Sequence, residues 1–198
     1  MLRTLTAASA AAVLLLAAPA GAADQLWKID PAHSDVEFGI KHFGLSSVKG
    51  TIPIQAGQIT LAAGKEIPAG VDVTLNAAGI DTQNEMRNGD LKSANWFDTA
   101  KYPAITFTST KIIGTDPANF TIDGNLTMHG VTKPIELQVH FEGKGQGGRG
   151  EQRVAYSATT TIHRRDFALV DSHTNALGAL VVGDDAAISL QVEGVAAP

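Results

Sequence analysis

The sequence predicts an all-β fold: an extended antiparallel β-barrel of about eight strands, with one short helical segment capping it. Three observations carry that expectation. Apolar and polar residues alternate with period two through a long series of short runs, the pattern of strands with one buried face. Glycines and prolines fall singly at the ends of those runs, as turn markers do. Only between Asp81 and Phe107 does the alternation give way to a helical pattern. Helices are then too scarce to cover an open sheet, and the strands must close on themselves or stack as two sheets.

The runs follow in order along the chain. Val36, Phe38 and Ile40 alternate with Asp35, Glu37 and Lys41, and Val71, Val73 and Leu75 with Asp72, Thr74 and Asn76. Ile52 and Ile54 read as a further strand, with Pro53 marking an edge or a bulge because proline has no amide to give to a ladder. Ile105 and Phe107 form the next, then Phe120, Ile122, Leu126 and Met128. Ile135, Leu137, Val139 and Phe141 follow, then Val154, Tyr156, Ala158 and Ile162, and last Ile188, Leu190 and Val192. A barrel of about eight such strands encloses a space just wide enough for side chains or one slender ligand. Aromatics make up only 6% of the chain, and many inward positions are Val, Ile, Ala, Ser or Thr, which leaves room for a hollow.

The helical island has its own signals. Thr82-Gln83-Asn84-Glu85 has the form of a capping box, which predicts Thr82 as the cap. Gly89 is expected to break or kink the helix, at about 1 kcal/mol relative to alanine. A second turn through Leu91 and Ala94 would deliver Trp96 and Phe97 before Pro103 imposes extended backbone. A short helix ending in aromatics at a barrel end reads as a plug or gate, or as plain packing across that end.

At the start, Arg3 precedes an apolar run from Ala11 to Ala18, and Ala20-Gly21-Ala22 offers a small-x-small cleavage site. Residues 1–23 are therefore expected to be a secretory signal peptide and 24–198 the domain, placed in the periplasm or secreted. The apolar run is too short to span a bilayer, and no later segment replaces it. Losing Arg3 leaves 14 basic against 20 acidic residues. That balance disfavours nucleic acid as a partner.

Several chemistries are excluded or weak. The chain has no cysteine, so thiol catalysis, disulfides and thiolate metal sites are out. Its six histidines are scattered without a ligand-spaced pair, and no metal or cofactor is expected. The glycines from Gly143 to Gly150 lack the ending of a phosphate loop and read as a hairpin loop. Arg164-Arg165-Asp166 reads as a solvated charge cluster. Asp171-Ser172-His173 holds the residue types of a triad, but adjacency in a loop does not build one.

A set of short motifs runs the length of the domain, opening with Trp27-x-Ile29-Asp30-x-x-His33-Ser34, Val36-x-Phe38-x-Ile40-Lys41-His42, and Val48-x-Gly50. It continues with Arg87, Leu91-x-Ser93, Phe97-Asp98, Tyr102-Pro103-x-Ile105-x-Phe107, Gly124-x-Leu126-Thr127, His129-Gly130, Arg165-x-Phe167 and Val182-Gly183-Asp184. Taken together, these motifs resemble those of the YceI-like, or polyisoprenoid-binding, family of bacterial periplasmic lipocalin-like proteins. The resemblance implies a barrel around an elongated apolar tunnel that takes a long isoprenoid or similar amphiphile. Asn88 and Asp90 depart from the family pattern, which often has Asp after the Arg and His before the Leu.

Physical chemistry supports a tail independently. One five-carbon isoprene unit contributes on the order of 3 to 4 kcal/mol of burial, so a few units suffice for tight binding and the head group must supply discrimination. The candidate ligand contacts are the strand residues Phe38, Ile40, Ile52, Phe107, Leu126, Met128 and Phe141, with Met86, Leu91, Trp96 and Phe97 on the island facing the hydrocarbon. His42 and Arg87 are placed near the head, since arginine suits a phosphate through paired donors. The expected role is a lipid-binding carrier without enzymatic activity. A holder of an isoprenoid quinone or a scavenger of hydrophobic toxins, an enzyme acting on a prenyl pyrophosphate, and a structural envelope protein with a filled barrel are the alternatives. An edge strand near Pro53 leaves a homodimer open.

Overall fold

The computed structural model describes residues 24–170, 173, 174, 176, 178 and 180–197; the expected signal segment and Asp171-Ser172 lie outside them. Ten strands form one antiparallel sheet. They are β1 (Gln25–Ile29), β2 (Asp35–His42), β3 (Ser46–Thr51), β4 (Ile54–Leu61), β5 (Gly70–Asn76), β6 (Ala104–Asp116), β7 (Asn119–Met128), β8 (Val131–Gln146), β9 (Gln152–His163) and β10 (Val182–Ala196). The order is β1-β4-β5-β6-β7-β8-β9-β10, closed by pairing of Trp27, Lys28 and Ile29 with the end of β10. These eight make a closed antiparallel barrel.

The remaining two strands continue members of that ring rather than adding to it. β1 and β2 lie end to end along one edge of β10, at Gly194 to Ala196 and at Val182 to Gln191. β4 and β3 lie end to end against them, β4 on β1 and β3 on β2. Each pair is a single bent stave. The first bend is held by Asp30, which accepts from the amide of Ala32 at 3.1 Å, faces His33 Nδ1 at 2.8 Å and meets Arg153 at 3.1 Å. Arg153 also binds Glu151 and Glu193, tying the bend to β9 and β10. The second bend falls at Ile52-Pro53, so these residues join two strands instead of forming one as expected. Proline's missing amide makes this the natural place to interrupt a ladder, and both flanking carbonyl and amide groups find partners: Ile52 N donates to Val36 O, and Asn76 N to Pro53 O.

β1 and β3 are not among the alternating runs picked out in the sequence. The glycine stretch also differs from expectation: Gly143 and Gly145 lie within β8, past a bulge at Phe141, and the turn itself is confined to Gly147 to Gly150.

The core fills the barrel from the Trp27 end, where Trp27, Ile59, Leu61, Phe120, Val154 and Tyr156 are all buried. Two aromatic side chains are laid across glycines, which lack the Cβ that would block them. Phe38 covers Gly50 on the facing strand, and Phe107 covers Gly124. His129 and Gly130, at φ 51° and 76°, form the two-residue turn between β7 and β8, where such left-handed pairs match the strand twist.

A Cβ at Gly124 would lie 2.3 Å from the Phe107 ring and 2.7 Å from the Thr108 carbonyl, whereas one at Gly39 would meet nothing within 4 Å. Gly124→Ala is expected to lower stability by about 1–3 kcal/mol. Gly39→Ala is expected to stay within about 0.5 kcal/mol. Urea unfolding of the two variants measures the difference.

Candidate functional site

Two contiguous chambers run through the barrel. The inner one, 150 Å³, is lined by apolar residues of nearly every stave, Ile54, Val73, Phe107, Leu126, Leu137 and Leu190 among them, and by Thr160 and Tyr156. The Tyr156 hydroxyl donates to Glu66 O at 2.7 Å, and burial pushes its pKa well up, so it stays neutral. The outer chamber, 290 Å³, shares Ile52, Met128, Ile162 and Ile188 with the inner one. It adds Phe38, Ile40, Leu91, Trp96, Phe97 and Leu169, then a polar outer end at Lys41, His42, Thr82, Arg87, Asp90 and Arg164. Lys41 and Asp90 are exposed, so this is the end that meets solvent. Polarity rises in one direction, from hydrocarbon to a charged mouth.

The mouth is closed over by α1 (Glu85–Lys92), which lies in the segment between β5 and β6. Its cap is Asn84, whose side chain accepts from Arg87 N at 2.9 Å. Thr82, expected as the cap, is instead buried. Its hydroxyl donates to Asn88 Oδ1 at 2.7 Å and accepts from Arg87 Nε at 2.8 Å, while Arg87 Nη2 donates to Thr82 O at 2.8 Å. Gly89 sits inside an unbroken helix, because the helix spans only two turns and this lock fixes its first one. The helix ends at Ser93, whose hydroxyl donates to Asp90 O at 2.6 Å, and the chain then turns through Trp96 and Phe97, both half-buried.

Arg164 is 4% exposed, not solvated as its surroundings in sequence implied. Its guanidinium donates to Gly183 O at 2.8 Å, to Val182 O at 3.0 Å and to Leu169 O, and lies 5.4 Å from the Trp96 ring centre. Sequence pattern missed it because a strand-end arginine among charged neighbours usually faces water.

The YceI-like domain family matches residues 27–194. The chain belongs to the YceI-like family. A UPF0312 protein of Shewanella baltica is 34% identical over 169 residues, 85% of this chain and 88% of that one. The Campylobacter jejuni YCEI protein superposes with a TM-score of 0.67 at 28% identity, covering 80% of this chain and 90% of that one. A polyisoprenoid binding domain from Saccharophagus degradans, implicated in plant cell wall breakdown, superposes with a TM-score of 0.62 at 16% identity over 86% of this chain and 98% of that one.

Within this YceI-like barrel the structure gathers most of the candidate contacts. Phe38, Ile40, His42, Arg87, Leu91, Trp96 and Phe97 line the outer chamber; Phe107 and Leu126 line the inner one; Ile52 and Met128 border both. Two do not belong. Met86 is 81% exposed, turned off the chamber by the helical lock that points Arg87 and Leu91 inward. Phe141 packs on Tyr156 at 5.6 Å, toward the Trp27 end and outside both linings. Two groups of metal-ligating side chains do converge, which no local spacing foretold. In one, Arg153 already binds Asp30 and Glu193; in the other, His163 Nδ1 faces Asp185 at 2.8 Å. Among the described residues, no helix is long and apolar enough to cross a membrane.

Asn88 ties the two sides of the cap together. Asn88 Nδ2 donates to Asp81 Oδ1 at 2.7 Å while its Oδ1 accepts from the amide and hydroxyl of Thr82, a two-sided bridge that an aspartate could not make. The Gln83 amide and the Asn88 side chain hold the Asp81 carboxyl below its usual range. A lowered folded-state value stabilises the cap above the unfolded pKa, and that contribution is lost as pH falls through the folded value. Asn88→Asp is expected to raise the Asp81 pKa, measured by carboxyl NMR titration, and to increase amide exchange across residues 81–92.

Proposed function

We propose that this YceI-like protein is a periplasmic carrier of a long-chain isoprenoid or similar amphiphile, its tail in the barrel and an anionic head at the mouth. The observation that carries the reading is the continuity of an apolar inner chamber with an outer one that ends in Arg87. Arg87 has Nε and Nη2 committed to Thr82, and among the described residues its Nη1 has no partner. A guanidinium already oriented by two bonds loses little further freedom on binding a phosphate or pyrophosphate oxygen. The binding role named for the Saccharophagus domain, which shares this fold, supports the same ligand class. Tail length is weakly discriminated in such a site, since neighbouring methylenes contribute alike.

Organic extraction of protein purified from its native compartment, followed by mass spectrometry, tests the proposal. A long-chain amphiphile at about one per chain is the expected result. An extract without one, from protein that also fails to take up a prenyl tail in vitro, overturns it in favour of a filled barrel. Arg87→Ala is expected to weaken binding of a prenyl pyrophosphate about tenfold to a hundredfold, the range of a lost charged hydrogen bond. Binding of a neutral isoprenoid quinone should change less than threefold, as read by tryptophan fluorescence titration.

A further inference from the structure

Six large hydrophobic side chains are exposed among the described residues: Leu26, Phe43, Leu45, Met86, Ile113 and Val170. Four of them lie within three residues, along the chain, of the outer chamber's lining. Phe43 and Leu45 stand at the tip between β2 and β3, directly after His42, where a left-handed pair at Phe43 and Gly44 turns the chain outward. Met86 precedes Arg87 on α1, and Val170 follows Leu169. His42, Arg87 and Leu169 all line the outer chamber, so the four are its rim. Leu45, Met86 and Val170 are 82%, 81% and 62% exposed. Leu26 lies on β1 and Ile113 well along β6, both away from the mouth.

We propose that this rim is a docking collar for an anionic phospholipid bilayer, through which the amphiphile passes between membrane and barrel without crossing water. The proposal rests on the tail-binding reading above. Each methylene brought into water lowers the escaping population about fourfold, so a twenty-carbon tail is disfavoured on the order of 10¹²-fold. Exchange through free solution is therefore negligible, and the mouth must touch the membrane that holds the lipid. Side chains of this kind enter the headgroup and acyl boundary when a soluble protein rests on a bilayer.

Charge selects the same surface. The chain carries a formal net charge of −5, yet the outer chamber is lined by Lys41, Arg87 and Arg164 against the single acid Asp90. On α1 itself, Lys92 in the last turn is offset by Glu85 in the first, so the excess of positive charge lies in the chamber lining. The lining of the mouth thus carries three cations against one acid on an acidic protein, a balance that would turn the mouth toward a negative membrane surface.

The test uses the full mature chain and the double variant Leu45→Glu/Met86→Glu, both changes at exposed positions outside the chamber linings. Wild type is expected to co-sediment with vesicles of phosphatidylethanolamine containing phosphatidylglycerol, to lose this in high salt, and to bind pure phosphatidylcholine vesicles less. The double variant should lose vesicle binding at least tenfold and accept a fluorescent polyprenyl lipid from vesicles at least tenfold more slowly. Its equilibrium uptake of the same lipid from detergent micelles should stay within twofold and its melting temperature unchanged. Wild type that takes the tail from micelles but ignores vesicles, or a variant that transfers at the wild-type rate, overturns the collar and leaves the tail-binding reading standing. Failure of wild type to take the tail from micelles overturns the tail-binding reading and the collar's transfer role together. Concentration-dependent dimers abolished by the double substitution, without vesicle binding by wild type, would assign the rim to a second copy of the chain and also overturn the collar.

Discussion

The structure depends on one constraint: among the described residues, β3 has a strand partner on one side only. Closing the barrel through β1 and β10 leaves β2 and β3 as the outer halves of two bent staves, and among the described residues the far edge of β3 has no strand to meet. An open edge at the mouth of an apolar barrel would expose both backbone polar groups and hydrocarbon. The chain answers with a single bridge between Thr51 and Asp81, and from Asp81 onward it builds the cap. Asp81 is thus at once the last residue of the ladder and the first of the helical lock, bonded by its backbone to Thr51 and by its side chain to Gln83 and Asn88. The cap is the piece that completes the wall.

The strands were legible because a barrel wall has one wet and one dry face, and that difference is written in each run at period two. β7 follows the alternation throughout, and β6 and β8 follow it until bulges after Ser109 and Phe141 shift their register. Legibility failed where the wall bends. Ile52-Pro53-Ile54 has the same alternation as a strand, yet it is a hinge, because what separates the two is the hydrogen bonding of Val36 and Asn76, residues distant in sequence. Thr82 was misread for a related reason. Ser and Thr before a Glu at the third position signal a cap only if the helix starts there, and here Asn84 competes with better geometry while Thr82 is drawn into the wall.

The site divides the same way. Hydrophobic lining positions such as Phe38, Phe107 and Leu126 were recoverable because lining follows from strand parity. Met86 was not, since the direction of a side chain on a two-turn helix depends on how the helix is pinned. With Arg87 fixed inward by Thr82, a helical step of about 100° carries Met86 off the chamber. Its exposure is therefore a consequence of the lock, and it puts an apolar side chain on the rim that the pattern had assigned to the interior.

The two arginines of the mouth show how position decides use. Arg164 and Arg87 both reach the outer chamber, and both look suited to an anionic head. Burying a guanidinium requires that its donors be satisfied, and Arg164 meets this with the carbonyls of Leu169, Val182 and Gly183 and the face of Trp96. It thereby joins the turn after β9 to the start of β10 and holds an aromatic side chain of the cap in place. A phosphate would have to displace those carbonyls to reach it. Arg87 is half-exposed, oriented by Thr82 and, among the described residues, has an Nη1 without a partner, so an anion could reach it with both bonds to Thr82 kept. On the proposed reading a head group would therefore meet Arg87, while Arg164 braces the wall of the mouth.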